Sequence, residues 1–296
     1  MRLTTLRRIR RIQEGLELLW ESDERRIRRK FRRTLGREPD LESPKTFNEK
    51  ILWLNLNDRR PVKTIVADKH AVRDWVSERI GDQYLIPLVG LYEDARDIEF
   101  DSLPGSFVIK ATHGSGWNLI VQDKRKLDWR AATDTLNGWL ASNYYPYLRE
   151  WQYRDIPPRL VVEELVLDHR GRIPSDFKLL CLTGAETKTI IVEVDLDRHT
   201  NHCRNLYDLE WNRLPFDLNY PASDEHVSSP DRLDEMVDVA RNLSRGFPFV
   251  RVDFYSTARG LRFGEMTLTP DGGSSVFDPP EWDRRLGDLT ELPKAD

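Results

Sequence analysis

The sequence predicts an α+β chain with a helical N-terminal section, and three observations carry that prediction. Across roughly the first 80 residues, apolar side chains recur at helical spacing. Short β-rich runs divided by Pro and Gly then take over, beginning with "YLIPLVGLYED" and "SFVIK". After that, helical patterns return only between strands, as in "LDWRAATDTLNGWLA" and "SPDRLDEMVDVARNLSRG".

Residues 1–40 read as a basic helical leader. Leu6, Ile9, Ile12, Leu16, Leu19 and Trp20 give it an apolar stripe, and residues 1–33 hold eleven arginines and one lysine. The net charge of the whole chain is nevertheless −4, so the body is acidic. That distribution argues against nucleic acid as a partner. Two readings of the leader stay open. It is either a solvated helix packed on the body, or a helix in peripheral contact with an anionic membrane surface or acidic glycan.

Residues 41–103 read as a helical and β section. "SPKTFNEKILWLNLND" places Phe47, Ile51 and Leu54 on one face. Pro61 suits the first position of a helix over "VKTIVADKHAVRDWVSERIG", which Gly81 closes, and His70 inside it reads as structural. Residues 104–185 and 186–296 form two further sections. "RLVVEELVLD", "DFKLLCLTG" and "KTIIVEVDLD" read as strands. Ser229 is expected to cap the helix that begins near Pro230 and ends at Gly246. "FPFVRVDFYSTARGLRFGEMTLTP" reads as two strands joined by a short turn.

Composition narrows the class. Hydrophobic residues at 39% and charged residues at 32% suit a globular chain. No apolar run approaches the roughly 20 residues that span a bilayer. The N-terminus lacks the continuous apolar stretch of a secretory signal. Cys181 and Cys203 match no zinc spacing, and a reducing, cytoplasmic location is expected.

The candidate chemistry begins at "KATHGSGWNLIVQDK", Lys110 to Lys124. A Walker phosphate loop needs Gly-Lys-Ser/Thr leading into a helix. Here the glycines lead into "WNLIVQ", a strand pattern, so they join two antiparallel strands. Gly114 and Gly116 still let backbone amides approach anionic oxygens, and Lys110 adds positive charge. In "VRVDFY", Arg251, Asp253 and Tyr255 share one face, and in "LRFGEMTLT" Glu265 and Thr267 share one. Two acids on apolar, pairing strands are costly without a cation, and such a pair suits Mg²⁺ held together with phosphate oxygens.

These segments together resemble the ATP-grasp superfamily, and within it the TupA-like group named for teichuronopeptide biosynthesis. The resembling stretches are "TFNEKILWL", "ADKHAVRDWVSERIGDQYLIPLVGLYED", "FVIKATHGSGWNLIVQDK", "VVEELV", "SDFKLLCLTG", "NLYDLEWNRLPF" and "FVRVDFYSTARGLRFGEMTLTPDGG", in order over about residues 40–275. The resemblance implies an ATP-grasp fold with a helical N-terminal section. Residues 104–185 would be the nucleotide-lid subdomain and 186–296 the metal-binding, catalytic one.

It also implies ATP and Mg²⁺ as cofactors and a role for each matching position. Lys110 would contact phosphate or adenine, and His113, Gly114, Ser115, Gly116 and Trp117 would form a lid over the triphosphate. Glu164, Leu165 and Val166 would be the adenine hinge. Asp176 would hold ribose, Lys178 would meet phosphate, and Arg251 would stabilise the transferred phosphoryl group. Asp253 and Glu265 would hold Mg²⁺. Thr267 stands where many members carry Asn and would be a third, shorter oxygen donor. The implied activity is ATP-dependent carboxylate–amine ligation through an acylphosphate, with ADP and phosphate released. Its implied substrates are a carboxylate-bearing glycan or nucleotide sugar, such as a uronic acid, and an amino acid or amine. The implied setting is the biosynthesis of cell-surface polysaccharide in the cytoplasm, and the basic leader adds the reading of a place at the inner face of the membrane. A kinase on the same scaffold and a glycosyltransferase using "DLD" at Asp195–Asp197 remain as alternatives.

Overall fold

The computed structural model describes residues 21–184, 188–196 and 201–293. Residues 1–20 of the basic leader and Asp197 of the "DLD" triplet lie outside the described residues. Helix α1 (Asp23–Leu35) starts where the Ser22 side chain accepts from Arg25 N, and ends at Gly36 with φ 72°. Its Ile27 and Phe31 are buried against Leu52. Leu52 belongs to α2 (Phe47–Asn57), which opens with a reciprocal Thr46–Glu49 capping box.

The single helix expected after Pro61 is two helices, α3 (Val62–Ala67) and α4 (Val72–Ile80). Asp68 breaks the run. Its Oδ1 accepts from His70 N at 2.8 Å and Ala71 N at 3.3 Å, offering the backbone an alternative to the helical ladder.

A four-stranded antiparallel sheet follows. It is built from β1 (Leu88–Tyr92), β2 (Phe107–Ala111), β3 (Asn118–Val121) and β4 (Leu160–Glu164), in the order β1-β4-β2-β3. The glycine loop does join β2 to β3 as a hairpin, with Gly116 at φ 74°. Phe107, Ile109, Leu160 and Val162 pack beneath Leu136 of α5 (Trp129–Leu140). The short α6 (Tyr145–Leu148) links α5 to β4.

The second sheet has five antiparallel strands. They are β5 (Asp176–Thr183), β6 (Lys188–Leu196), β7 (Cys203–Tyr207), β9 (Phe249–Thr257) and β10 (Gly260–Thr267), in the order β10-β9-β5-β6-β7. A separate two-stranded ribbon of β8 (Asp217–Leu218) and β11 (Phe277–Asp278) packs on the same apolar cluster as the larger sheet, and α8 (Glu281–Asp288) is the last described helix. Because β5 pairs with both β6 and β9, a division at residues 185 and 186 would cut one sheet in two. The change of sheet falls instead between Glu164 and Asp176. Helix α7 (Leu233–Leu243) starts four residues after Ser229, with Arg232 at its cap position and no side-chain cap bond.

The two faces of the larger sheet differ. On one, Leu179, Val192, Val250 and Val252 meet Val76 of α4 and Met236 of α7 in an apolar core. The opposite face is split. Leu180, Leu182, Ile191 and Phe249 lie under Phe47 and Ile51 of α2. Farther along the same strands, the same alternation presents Asp176 and Lys178, Glu193 and Asp195, and Arg251 and Asp253.

Candidate nucleotide and metal site

This polar half-face looks into a cleft of about 250 Å³ between the two sheets. Asp176, Lys178, Arg251, Asp253 and Glu265 line its floor, and Lys69, Lys110, Ser115, Gly116 and Trp117 line the facing wall. Lys110 and Tyr255 also border an adjoining apolar slot of about 80 Å³. Ile86, Val108, Ile120, Leu165, Val166 and Ile173 supply most of its walls. A larger cavity of about 860 Å³ lies elsewhere, between α2 and the C-terminal segment. It gathers none of the predicted site residues, so size does not locate the chemistry here.

A bulge assembles the acids. Strand β10 pairs with β9 as Arg262 with Tyr255 and Phe263 with Phe254, then skips Gly264, so that Glu265 meets Asp253. Were Gly264 paired in the ladder and not bulged out, strict alternation from Phe263 would turn Glu265 toward the apolar core. A Cβ at Gly264 would lie 3.1 Å from both the Asp253 carbonyl oxygen and the Tyr255 ring. Arg251 then clamps the pair. It donates to both Asp253 oxygens at 2.7 and 2.8 Å and to Glu265 Oε1 at 3.0 Å. Thr267 Oγ1 donates to the same Glu265 oxygen at 3.1 Å.

The two acids are tuned apart. Burial pushes Asp253 up to about 7 despite Arg251. Enclosure also acts to raise Glu265, but Arg251 and Lys69 outweigh it and hold that carboxyl below its usual range. The Glu265 side chain is 40% exposed, against 6% for Asp253, which places Glu265 at the mouth of the cleft. Among the described residues, no group of three or more His, Cys, Asp or Glu converges as a complete metal cage. Two carboxylates in register, one at the mouth, nevertheless fit Mg²⁺, which takes one or two protein carboxylates and completes its shell with phosphate and water oxygens.

The other expected residues divide. Lys110 Nζ lies 2.8 Å from Glu163 Oε2, and this pairing outweighs burial to raise its pKa. Ser115, Gly116 and Trp117 reach the cleft, and Leu165 and Val166 line the slot beside Glu164. His113 does not line the cleft. It is buried with Nε2 3.0 Å from the Trp139 carbonyl oxygen, burial lowers its pKa, and its ring packs edge-on to Trp117 at 5.2 Å. It anchors the loop from below. Lys178 reaches the cleft, but Glu193 at 3.0 Å and Asp195 already hold its ammonium. Asp195 also accepts from Arg204 at 2.7 Å and lies 3.0 Å from His202 Nε2. It is therefore a buried strand residue and not part of an exposed Asp-x-Asp loop.

Sequence reasoning missed Lys69. The Asp68 turn swings it to the cleft wall, where Nζ donates to the Gly114 carbonyl and burial lowers its pKa. The signal was an Asp inside a helical run, which is a capping residue out of place. Glu163, which pairs with Lys110 and lies 3.1 Å from Arg73, was missed too.

The model of the TupA-like ATP-grasp family matches residues 49–291. The chain belongs to this family. Its ATP-grasp fold follows, with α1 lying outside the matched segment. Solved structures with a similar outline include D-alanine–D-alanine ligase from Helicobacter pylori, at 13% identity and TM-score 0.44 over 78% of this chain and 60% of that one. The same ligase from Bacillus anthracis, complexed with ATP, matches at 16% identity and TM-score 0.44 over 76% and 63%. The ADP complex of an N5-carboxyaminoimidazole ribonucleotide synthetase matches at 10% identity and TM-score 0.42 over 69% and 45%. The chain thus spans about half to two thirds of the length of these structures. No curated protein matches it.

Proposed function

We propose that the chain is an ATP-dependent carboxylate–amine ligase that works through an acylphosphate. The observation that carries this reading is the cleft itself. Arg251, Asp253 and Glu265 face Lys69, Lys110 and a glycine loop across a space that opens onto an apolar slot. Phosphoryl transfer asks for positioning and charge neutralisation, and this arrangement supplies both. Adenine would enter the slot against Glu164–Val166, and Asp176 would meet ribose. Lys69 and Lys110 would hold phosphates under the Ser115–Gly116 loop, with Trp117 covering them. Lys178, oriented by Glu193 and Asp195, would face the phosphate chain. Asp253 and Glu265, with Thr267 orienting Glu265, would hold Mg²⁺, which neutralises charge between phosphate groups. Arg251 would steady the terminal phosphoryl group as it passes to a carboxylate oxygen. An amine would then displace phosphate, and the closed loop would keep water from the acylphosphate.

Family resemblance supports a carboxylated sugar, such as a uronic acid in a glycan or nucleotide sugar, as the activated partner and an amino acid or amine as acceptor. It also supports action in the cytoplasm on cell-surface polysaccharide, while the arginine-rich leader, outside the matched segment, suits contact with the anionic inner face of the membrane. Salt-sensitive sedimentation with anionic vesicles tests that contact. No helix among the described residues is long and apolar enough to cross a membrane.

Hydroxylamine tests the reaction. With ATP·Mg²⁺ and a panel of uronates, nucleotide uronates and amino acids, one carboxylate should yield a hydroxamate with ADP and phosphate. Asp253→Asn and Glu265→Gln should each lower that rate by at least about 100-fold. Formation of AMP would overturn the reading, as would a phosphorylated hydroxyl product, or UDP released from a sugar nucleotide with ATP intact.

A further inference from the structure

The polar face of β10 does not stop at the metal acids. Glu265 and Thr267 share one side of β10, and Thr269 follows two residues past the end of the strand. Thr267 Oγ1 donates back to Glu265. Two residues on, Thr269 Oγ1 donates to Glu150 Oε1 and accepts from Gln152 Nε2 at 2.9 Å. A hydroxyl has one proton, so the Gln152 amide commits that proton to Glu150.

Glu150 is held rigidly. It follows Arg149, whose backbone is left-handed at φ 56° and whose carbonyl accepts from Asn55 Nδ2 at 3.0 Å. Yet this carboxyl is only 5% exposed, and among the described residues no cation lies within ion-pair distance of it. The nearby Lys30 gives its ammonium to the Asp271 carbonyl. The rest of its surroundings also favour a cation. Asp271 and Glu265 add negative field, and two rings whose centroids are 5.0 Å apart, Tyr144 and Tyr153, lie within its electrostatic reach. Tyr144 in turn packs edge-on to Trp117 of the loop at 5.5 Å.

We propose that Glu150, held by Thr269 and Gln152, recognises the attacking amine as its ammonium form and receives the proton that amine gives up. This rests on the ligase reading and adds to it the acceptor side of the same site. In the second step the ammonium first gives one proton to the Glu150 carboxylate, which frees the nitrogen lone pair. That pair forms the bond to the acyl carbon, the bond from that carbon to the phosphate oxygen breaks with its electron pair, and the departing phosphate takes the second proton from nitrogen. A buried carboxyl raised to about 7 is matched to that transfer near neutral pH.

The test is thermal stabilisation of the whole chain saturated with Mg²⁺ and a non-hydrolysable ATP analogue. The probes are glycine, L-alanine, L-glutamate, L-lysine and ethanolamine, with glycolate and lactate as amine-free controls. At least one amine should raise Tm while the controls do not. Glu150→Gln should weaken its binding at least tenfold while leaving the nucleotide shift at the wild-type value. Thr269→Val, which retains the acid and removes its donor, should also weaken amine binding. Amine affinity within twofold of wild type in Glu150→Gln overturns the proposal, and so does a panel in which no amine binds wild type. An absent nucleotide shift in wild type counts against the ATP reading, and the amine arm then decides Glu150 without the analogue.

Discussion

Glu150→Gln should flatten one limb of the pH dependence of stability. Burial lifts this carboxyl from 4.5 to about 7, against the pull of Thr269 and Lys30. The native value lies above the unfolded one, so the protonated native form is favoured. The resulting stabilisation is complete below about pH 4.5, declines as pH rises, and is gone above about pH 7. A gap of about 2.5 pH units corresponds to about 3 kcal/mol, of which about 2 kcal/mol is lost between pH 5.5 and 8. Because the side chain is almost wholly buried, solvent screening removes little of this. Glutamine preserves the shape, can still accept from Thr269, and carries no proton to lose. Urea unfolding of wild type and variant at pH 5.5, 7 and 8 measures the difference. The variant should gain about 2 kcal/mol relative to wild type across that range. Asp253 titrates in the same direction in both proteins and cancels. Parallel curves, within about 0.5 kcal/mol, would refute the claim that this carboxyl is buried without a cation.

Two further outcomes follow from the loop. Lys69→Ala removes a cation that ties α3–α4 to the Gly114 carbonyl, so ATP affinity should fall by about 10- to 100-fold, and amide exchange over residues 112–117 should quicken. Unchanged exchange and affinity would take Lys69 out of the site. Gly114→Val places a Cβ 2.6 Å from the Trp117 ring, so the indole must move. ATP binding should weaken by about tenfold, roughly 1.4 kcal/mol, and Trp fluorescence should shift. A wild-type titration would show that Trp117 does not cover the nucleotide.

Local pattern determined a good deal of this protein. The strand-glycine-strand run at 110–121, the pairing of the two strands that carry Asp253 and Glu265, and the sharing of one face by Arg251 and Asp253 all depend on residue order and a period of two, which a sequence displays. Family resemblance was equally legible, since it rests on the order of short motifs. Tertiary structure decided what those patterns meet. The Gly264 bulge, invisible to a strict alternation, turns Glu265 toward Asp253. Asp68 competes with the helical ladder and delivers Lys69 to the cleft, while His113 sinks beneath its loop to the Trp139 carbonyl. Glu193 and Asp195 claim Lys178 from across a strand pair, and Thr269 meets Glu150 over a separation of 119 residues. Charge pairing and burial depend on distances between segments far apart in the chain, and no local period encodes them. For that reason the sequence displayed Asp253 and Glu265 as a pair, whereas the buried Glu150 emerged only once the chain was folded.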